Sequence, residues 1–167
     1  MSCIVLIGAP GAGKSTVGSA LALELQLAFL DTDVVIEERT GKKISDIFVV
    51  DGEERFRAIE LEVLTELVAG KNCVVSLGGG APISKQAQKL LTGSGATIIF
   101  LDVSLATAAP RVGFNRDRPL LLGNPRAQWQ ALSDKRRPIY ESLAAHSVKV
   151  DDMSINQVVD AIIECVR

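Results

Sequence analysis

Short runs of apolar, β-branched residues alternate along the chain with longer segments in which apolar positions recur every three or four residues. That succession is the mark of βαβ units built around a buried parallel sheet. The runs predict strands at Cys3–Ile7, Ala28–Leu30, Cys73–Leu77, Thr97–Asp102 and Ser147–Val150. Helical spacing predicts Ser15–Leu27, Glu53–Ala69, Ser84–Leu91, Ser104–Val112, Arg126–Ala145 and Ile155–Val166, with Gly41, Gly70 and Gly93 as stops. In the second of these helices Phe56, Ile59, Val63 and Leu67 fall on one face, which should pack on the sheet. One stretch, 113–125, resists both patterns. It holds Gly113, Pro119, Gly123 and Pro125 with Arg116 and Arg118 among them, and reads as a loop able to act as a lid.

Directly after the first strand comes Gly8-Ala9-Pro10-Gly11-Ala12-Gly13-Lys14-Ser15, a full GxxxxGK[ST] match in the strand–loop–helix setting that gives the motif its meaning. Glycines here let backbone N–H groups converge on phosphate oxygens, and the N-terminus of the following helix adds the positive end of its dipole. Gly11, Ala12 and Gly13 form the cradle, Lys14 brings a full charge to the β- and γ-phosphates, and Ser15 offers a hydroxyl to Mg²⁺, with Thr16 one position deeper. Guanine readers commonly carry an Asn-Lys-x-Asp tetrad, and none of Asn72, Asn115, Asn124 or Asn156 begins one. ATP is the expected nucleotide, since a stacked arginine suffices for adenine.

Composition narrows the class further. A chain of 167 residues, 47% hydrophobic and 23% charged, suits one compact domain spanning 1–167. A net charge of −2 lacks the basic excess that nucleic-acid or membrane-surface binding needs, so neither partner is expected. The basic residues nonetheless gather between Arg111 and Arg137, where Arg116, Arg118, Arg126, Lys135 and Arg136 face only Asp117 and Asp134. Neither Met1–Gly13 nor Leu90–Leu101, both uncharged, approaches the roughly 20 apolar residues of a membrane span. Cys3, Cys73 and Cys165 are widely spaced, without CxxC or metal-type spacing, and no basic region precedes the first apolar run. Reduced thiols, a cytoplasmic setting and a monomer are the simplest expectation.

A phosphoryl acceptor has to lie in line with the γ-phosphate, so polar residues at the carboxyl ends of the other strands are candidates. The second strand ends in Asp31-Thr32-Asp33 and the third in Gly78-Gly79-Gly80. Taken singly, either aspartate can N-cap the next helix and the glycines can form a tight turn. Beside a phosphate cradle they read instead as a hydroxyl acceptor and a run of exposed N–H donors. Together with Phe56-Arg57 and Glu60, Arg118-Pro119-Leu120-Leu121, and Lys135-Arg136 followed by Pro138 and Tyr140, these motifs in this order resemble the shikimate kinase family, and the similarity runs over nearly the whole chain.

The resemblance implies a three-layer α/β/α P-loop kinase fold of the nucleoside monophosphate kinase type, with a five-stranded parallel sheet in the order 2-3-1-4-5 and a mobile lid. It also implies ATP and Mg²⁺ as cofactors and transfer of the γ-phosphate to the 3-hydroxyl of shikimate, a step of aromatic amino acid biosynthesis. Shikimate carries one carboxylate and three hydroxyls on a small ring, so cationic forks and a hydroxyl acceptor meet its needs. Arg57 and Arg136 match the forks, Gly79 and Gly80 join them at the substrate, and Glu60 should hold Arg57. Phe48 and Phe56 match the pocket walls. Asp33 matches the group that orients the reacting hydroxyl; an aspartate titrating at about 3.9 cannot deprotonate an alcohol before attack, so orientation is the larger part of its role. Lys14 and Arg118 neutralise the transferred oxygens, Arg118 arriving with the lid, while Asp31 holds a water on the metal with help from Ser76. Arg111 matches the adenine-stacking position, and Arg118 also reaches the nucleotide.

Several points stay open at this level. Arg137 can share the carboxylate with Arg136 or, like Arg116 and Arg126, serve as a surface charge; Pro138 should interrupt the helix ladder and so aim the arginine before it. The stretch 151–156 is where an adenine-contacting loop would fall, but no residue in it matches a motif, so base contacts there stay open, and His146 reads as structural or solvent-facing. A kinase for another small polyhydroxy acid, such as gluconate, and a noncatalytic nucleotide-binding module are the alternative functions.

Overall fold

The computed structural model describes residues 1–112 and 124–167. The 113–123 part of the expected lid, with Arg116 and Arg118, lies outside the described residues. Strands β1 (Ile4–Ile7), β2 (Ala28–Asp31), β3 (Cys73–Ser76), β4 (Thr97–Asp102) and β5 (His146–Lys149) alternate with helices α1 (Lys14–Leu25), α2 (Thr32–Thr40), α3 (Ile44–Asp46), α4 (Glu53–Val68), α5 (Lys85–Gly93), α6 (Leu105–Val112), α7 (Pro125–Leu143) and α8 (Ile155–Val166). The strands form one sheet in the order β2-β3-β1-β4-β5, parallel throughout, which meets the expected topology.

The central strands β1, β3 and β4 are buried, and side-chain alternation sends their residues into cores on both faces of the sheet. In β1, Ile4 and Leu6 enter the core shared with α1 and α8, whereas Val5 and Ile7 enter the core on the opposite face with Leu64 and Tyr140. β4 divides likewise, with Ile99 and Leu101 on the first face and Ile98 and Phe100 on the second. All carboxyl ends therefore point the same way, and the loops leaving β1, β2 and β3 emerge side by side.

Predicted and observed elements differ by a residue or two at their ends, except between Asp31 and Gly52. There the sequence offered only a possible helix cap at Asp31 or Asp33 and a stop at Gly41. The structure has α2, stopped by Gly41 at φ 65°, then α3 running into a π-helical turn over Ile47–Asp51. Glu37-Glu38-Arg39 breaks any long apolar stripe, so these elements are held by a small separate core of Ile36, Ile44, Ile47, Phe56 and Val63. Elsewhere the local caps agree with the pattern. Asn124 caps α7 with Pro125 at its first position, and Ser154 forms a capping box with Gln157 on α8.

The expectation of three reduced thiols is corrected. Cys3 and Cys73 form a disulfide, while Cys165 is free. Pairing of Ile4 with Val74 sets Cys3 beside Cys73 at the start of neighbouring strands, a proximity that a sequence separation of 70 conceals. Among the described residues no helix is long and apolar enough to cross a membrane.

Candidate active site

The loop Gly8–Gly13 joins β1 to α1, and its conformation demands glycine. Gly11 has φ 87°, and a Cβ there would lie 2.8 Å from Val112 Cγ2 on α6. Gly13, at φ 89°, caps α1 and leaves the helix N-terminus facing the loop. Lys14 is buried, and its Nζ donates to the Gly8 carbonyl at 2.7 Å and to the Ala9 carbonyl at 3.0 Å, so the loop itself aims the ammonium. From the far side, the buried indole of Trp129 on α7 donates to the Pro10 carbonyl at 2.9 Å.

Ser15 on α1 meets the end of β2, where its hydroxyl donates to Asp31 Oδ2 and lies 3.5 Å from Ser76 Oγ on β3. The other oxygen of Asp31 accepts the backbone N–H groups of Asp33 at 2.9 Å and Val34 at 3.2 Å. Asp31 is thus both the N-cap of α2 and a partner of the cradle serine. Thr32 is fully buried, and its hydroxyl accepts the Gly78 N–H at 3.0 Å, joining α2 to the glycine run.

Each of the three glycines seats one charged side chain. A Cβ at Gly78 would lie 2.8 Å from Asp33 Oδ1, one at Gly79 3.2 Å from Arg136 Nη1, and one at Gly80 2.5 Å from Arg57 Nη1. Missing side chains thereby create the floor on which Asp33 of α2, Arg57 of α4 and Arg136 of α7 meet. Glu60, buried on the same face of α4 as Arg57, accepts from its Nη1 at 2.8 Å, and Glu53 lies 3.6 Å from its Nη2. The Arg57 guanidinium also stands over Phe56, whose ring centroid is 4.7 Å from that of Phe48. Tyr140 Oη donates to the Gly79 carbonyl at 2.6 Å and fixes the middle of the run.

A cavity of about 480 Å³ links the two halves. The cradle, Thr16, Asp31, Asp33, Ser76 and Gly79 line it at one end, and Arg111, Val150, Met153, Ile155 and Val158 at the other. Arg57, Gly80 and Arg136 line an adjoining cavity of about 450 Å³ together with Glu60 and Lys135. Arg111 donates to the Gly11 carbonyl at 3.2 Å. Its helix is tied down by Asp151, which accepts from the Ser104 N–H at 3.1 Å and the Ser104 hydroxyl at 3.0 Å. The Thr107 hydroxyl, foremost, then Ser104 and the charge of Arg111 hold the Asp151 carboxyl below its usual range.

Sequence reasoning missed the apolar end of the cavity, because Val150, Met153, Ile155 and Val158 follow no phosphate-type motif and differ from core residues only in where β5 ends. It also missed Thr32, Trp129 and Tyr140, whose polar atoms act on distant backbone. Arg137 pairs with Asp102 at the end of β4, whereas Arg136 approaches Gly79. His146 opens β5, exposed and away from the cavity.

Known proteins with this arrangement agree closely. A solved shikimate kinase from Acinetobacter baumannii in complex with shikimate superposes with a TM-score of 0.95 at 32% identity, covering 99% of this chain and 93% of that one. A gluconokinase from Sinorhizobium meliloti matches at a TM-score of 0.62 and 20% identity, over 99% of this chain and 91% of its own, a likeness of fold alone. By sequence, the shikimate kinase of Rhodococcus jostii is 43% identical over 95% of this chain and 94% of its own length. That of Thermobifida fusca is 54% identical over 89% of this chain and 85% of its own. With the shikimate kinase family model matching residues 10–167 as well, the chain belongs to the shikimate kinase family.

Proposed function

We propose that the protein transfers the γ-phosphate of ATP to the 3-hydroxyl of shikimate, giving shikimate 3-phosphate and ADP. The observation that carries this reading is the seating of Asp33, Arg136 and Arg57 on Gly78, Gly79 and Gly80 at the mouth of the phosphate cradle. Two guanidinium groups and one carboxylate, side by side, complement a ring that bears a carboxylate and hydroxyls. Each charge-assisted hydrogen bond to the substrate carboxylate contributes about 1.5–3 kcal/mol, and the Arg57 fork is held in direction by Glu60.

Catalysis is positioning joined to charge stabilisation, as a loose phosphoryl-transfer transition state requires. The Gly11–Gly13 amides, the α1 N-terminus and Lys14 hold the triphosphate, with Thr16 supporting the first turn. Arg111 covers the adenine from one side, and the apolar residues Val150, Met153, Ile155 and Val158 suit its other surfaces. Asp33 accepts the hydrogen bond of the attacking hydroxyl and aims its oxygen along the line to phosphorus, the proton leaving late. Arg118 belongs to this set by its motif, as a charge on the transferred oxygens.

Ser15, Asp31 and Ser76 present only oxygen donors where the cradle opens, the donor chemistry a hard divalent cation takes. Ser15 through its hydroxyl and Asp31 through water would hold Mg²⁺ there, and the cation would neutralise charge on the phosphate oxygens. The need for ATP supports a cytoplasmic setting.

The test is ADP release with a panel of polyhydroxy acids. Fast turnover with shikimate and none with gluconate is expected. Turnover with gluconate and none with shikimate defeats the proposal, as does nucleotide binding without acceptor-dependent ADP release.

A further inference from the structure

Helix α7 carries two adjacent arginines that point to different sides. Arg136 is buried and reaches Gly79, whereas Arg137 makes a two-pronged pair with Asp102, Nη1 to Oδ2 at 3.0 Å and Nη2 to Oδ1 at 2.5 Å. The Arg137 guanidinium also lies 5.5 Å above the Phe100 ring of β4. Neighbouring residues on a helix are about 100° apart, so fixing the azimuth of one side chain fixes that of the other. The next residue is Pro138, inside the helix, which has no N–H to give to the Asp134 carbonyl and weakens the ladder where Arg136 must be aimed. Side-chain ties bracket that weak turn. Arg137 spans it to Glu141 at 3.2 Å, and Tyr140 holds the Gly79 carbonyl on its far side.

We infer that the Asp102–Arg137 pair is a positioning device for substrate recognition: it clamps α7 to the end of β4 at the Pro138 turn and so holds the Arg136 guanidinium over Gly79. The inference rests on the reading of Arg136 as a ligand of the acceptor carboxylate. Arg137 itself does not touch the acceptor. Its partially exposed ion pair adds little to global stability, so its effect should be local and confined to one substrate.

The experiment compares Arg137→Met, Asp102→Asn, the double variant and Arg136→Met by steady-state kinetics in both substrates, with melting temperatures alongside. Loss of the clamp by either single change should raise KM for shikimate about tenfold while KM for ATP stays within about twofold. The double variant should be no worse than the weaker single variant, because both changes remove one interaction. Asp102→Asn leaves α7 untouched and decides the matter if Arg137→Met does not fold. An unchanged shikimate KM in the single variants, or an ATP KM that rises in step with it, overturns the inference. Arg136→Met separates the layers: if it alone raises shikimate KM, only the clamp fails, and if it too has no effect, the carboxylate reading falls and takes the clamp with it.

Discussion

The two ends of the active site are built on opposite plans. The nucleotide cradle is one continuous segment, Gly8–Ser15, whose donors are largely backbone N–H groups fixed by local conformation and by the start of α1. The acceptor end has no such segment. It gathers Asp33 from α2, Arg57 and Glu60 from α4, and Arg136 and Tyr140 from α7 around the backbone of Gly78–Gly80. A triphosphate presents the same oxygens whatever it is attached to, so a rigid local nest serves it. An asymmetric ring needs side chains of chosen length and charge, brought from several elements, and its recognition depends on how three helices pack.

That division is sharpest at Asp33. Replacing it with asparagine keeps the size but removes the carboxylate, and turnover should fall by about a hundredfold or more. Nucleotide affinity, measured by ADP titration, should stay within about twofold. An equal loss of both would show that the two ends are not independent.

A paired glycine exchange probes the same boundary with a smaller effect. In Gly80→Ala the new methyl sits 2.5 Å from Arg57 Nη1, so the guanidinium must withdraw and KM for shikimate should rise about tenfold with little change for ATP. Gly11→Ala should reverse the pattern, because a φ of 87° and a 2.8 Å approach to Val112 distort the cradle. Both variants weakening the same substrate would break the comparison.

The smallest effect is one of pH. The Thr107 and Ser104 hydrogen bonds and the Arg111 charge depress the Asp151 carboxyl, so folding favours its ionised form. The stability this adds is present above the ordinary aspartate value of about 3.9 and is lost as pH falls through the lowered folded value. Asp151→Asn should therefore be slightly less stable than the parent at neutral pH, and the gap should narrow below about pH 4 in denaturant titrations. A gap that persists in acid would mean that shape, not charge, anchors α6.

How much of this was legible in the sequence follows from the same contrast. The cradle could be read residue by residue, since each feature it needs lies within eight positions of one strand and one helix. The central strands β1, β3 and β4 were legible because burial on both faces requires unbroken apolar runs. Arg57 with Glu60 was legible as a pair three residues apart on a helix. The region 32–51 was not, because its elements are short and charged, and their apolar residues pack into a satellite core with α4 rather than onto the sheet. The Cys3–Cys73 link and the hold of Trp129 on Pro10 depend on strand order and helix placement, which no local spacing encodes. Arg136 was legible from its motif, but the partner of Arg137 was not, because Asp102 reaches it only through the placement of β4.

Asp31 has one oxygen committed to Ser15 and the other to the first amides of α2. Those two duties respond differently to chemistry: an amide oxygen can go on capping a helix, but it lacks the negative charge that draws a hydrated cation. The carboxylate that would steady the metal's water also sets the starting angle of the helix bearing Asp33. Phosphate charge on one side and alcohol alignment on the other therefore share a single hinge pin.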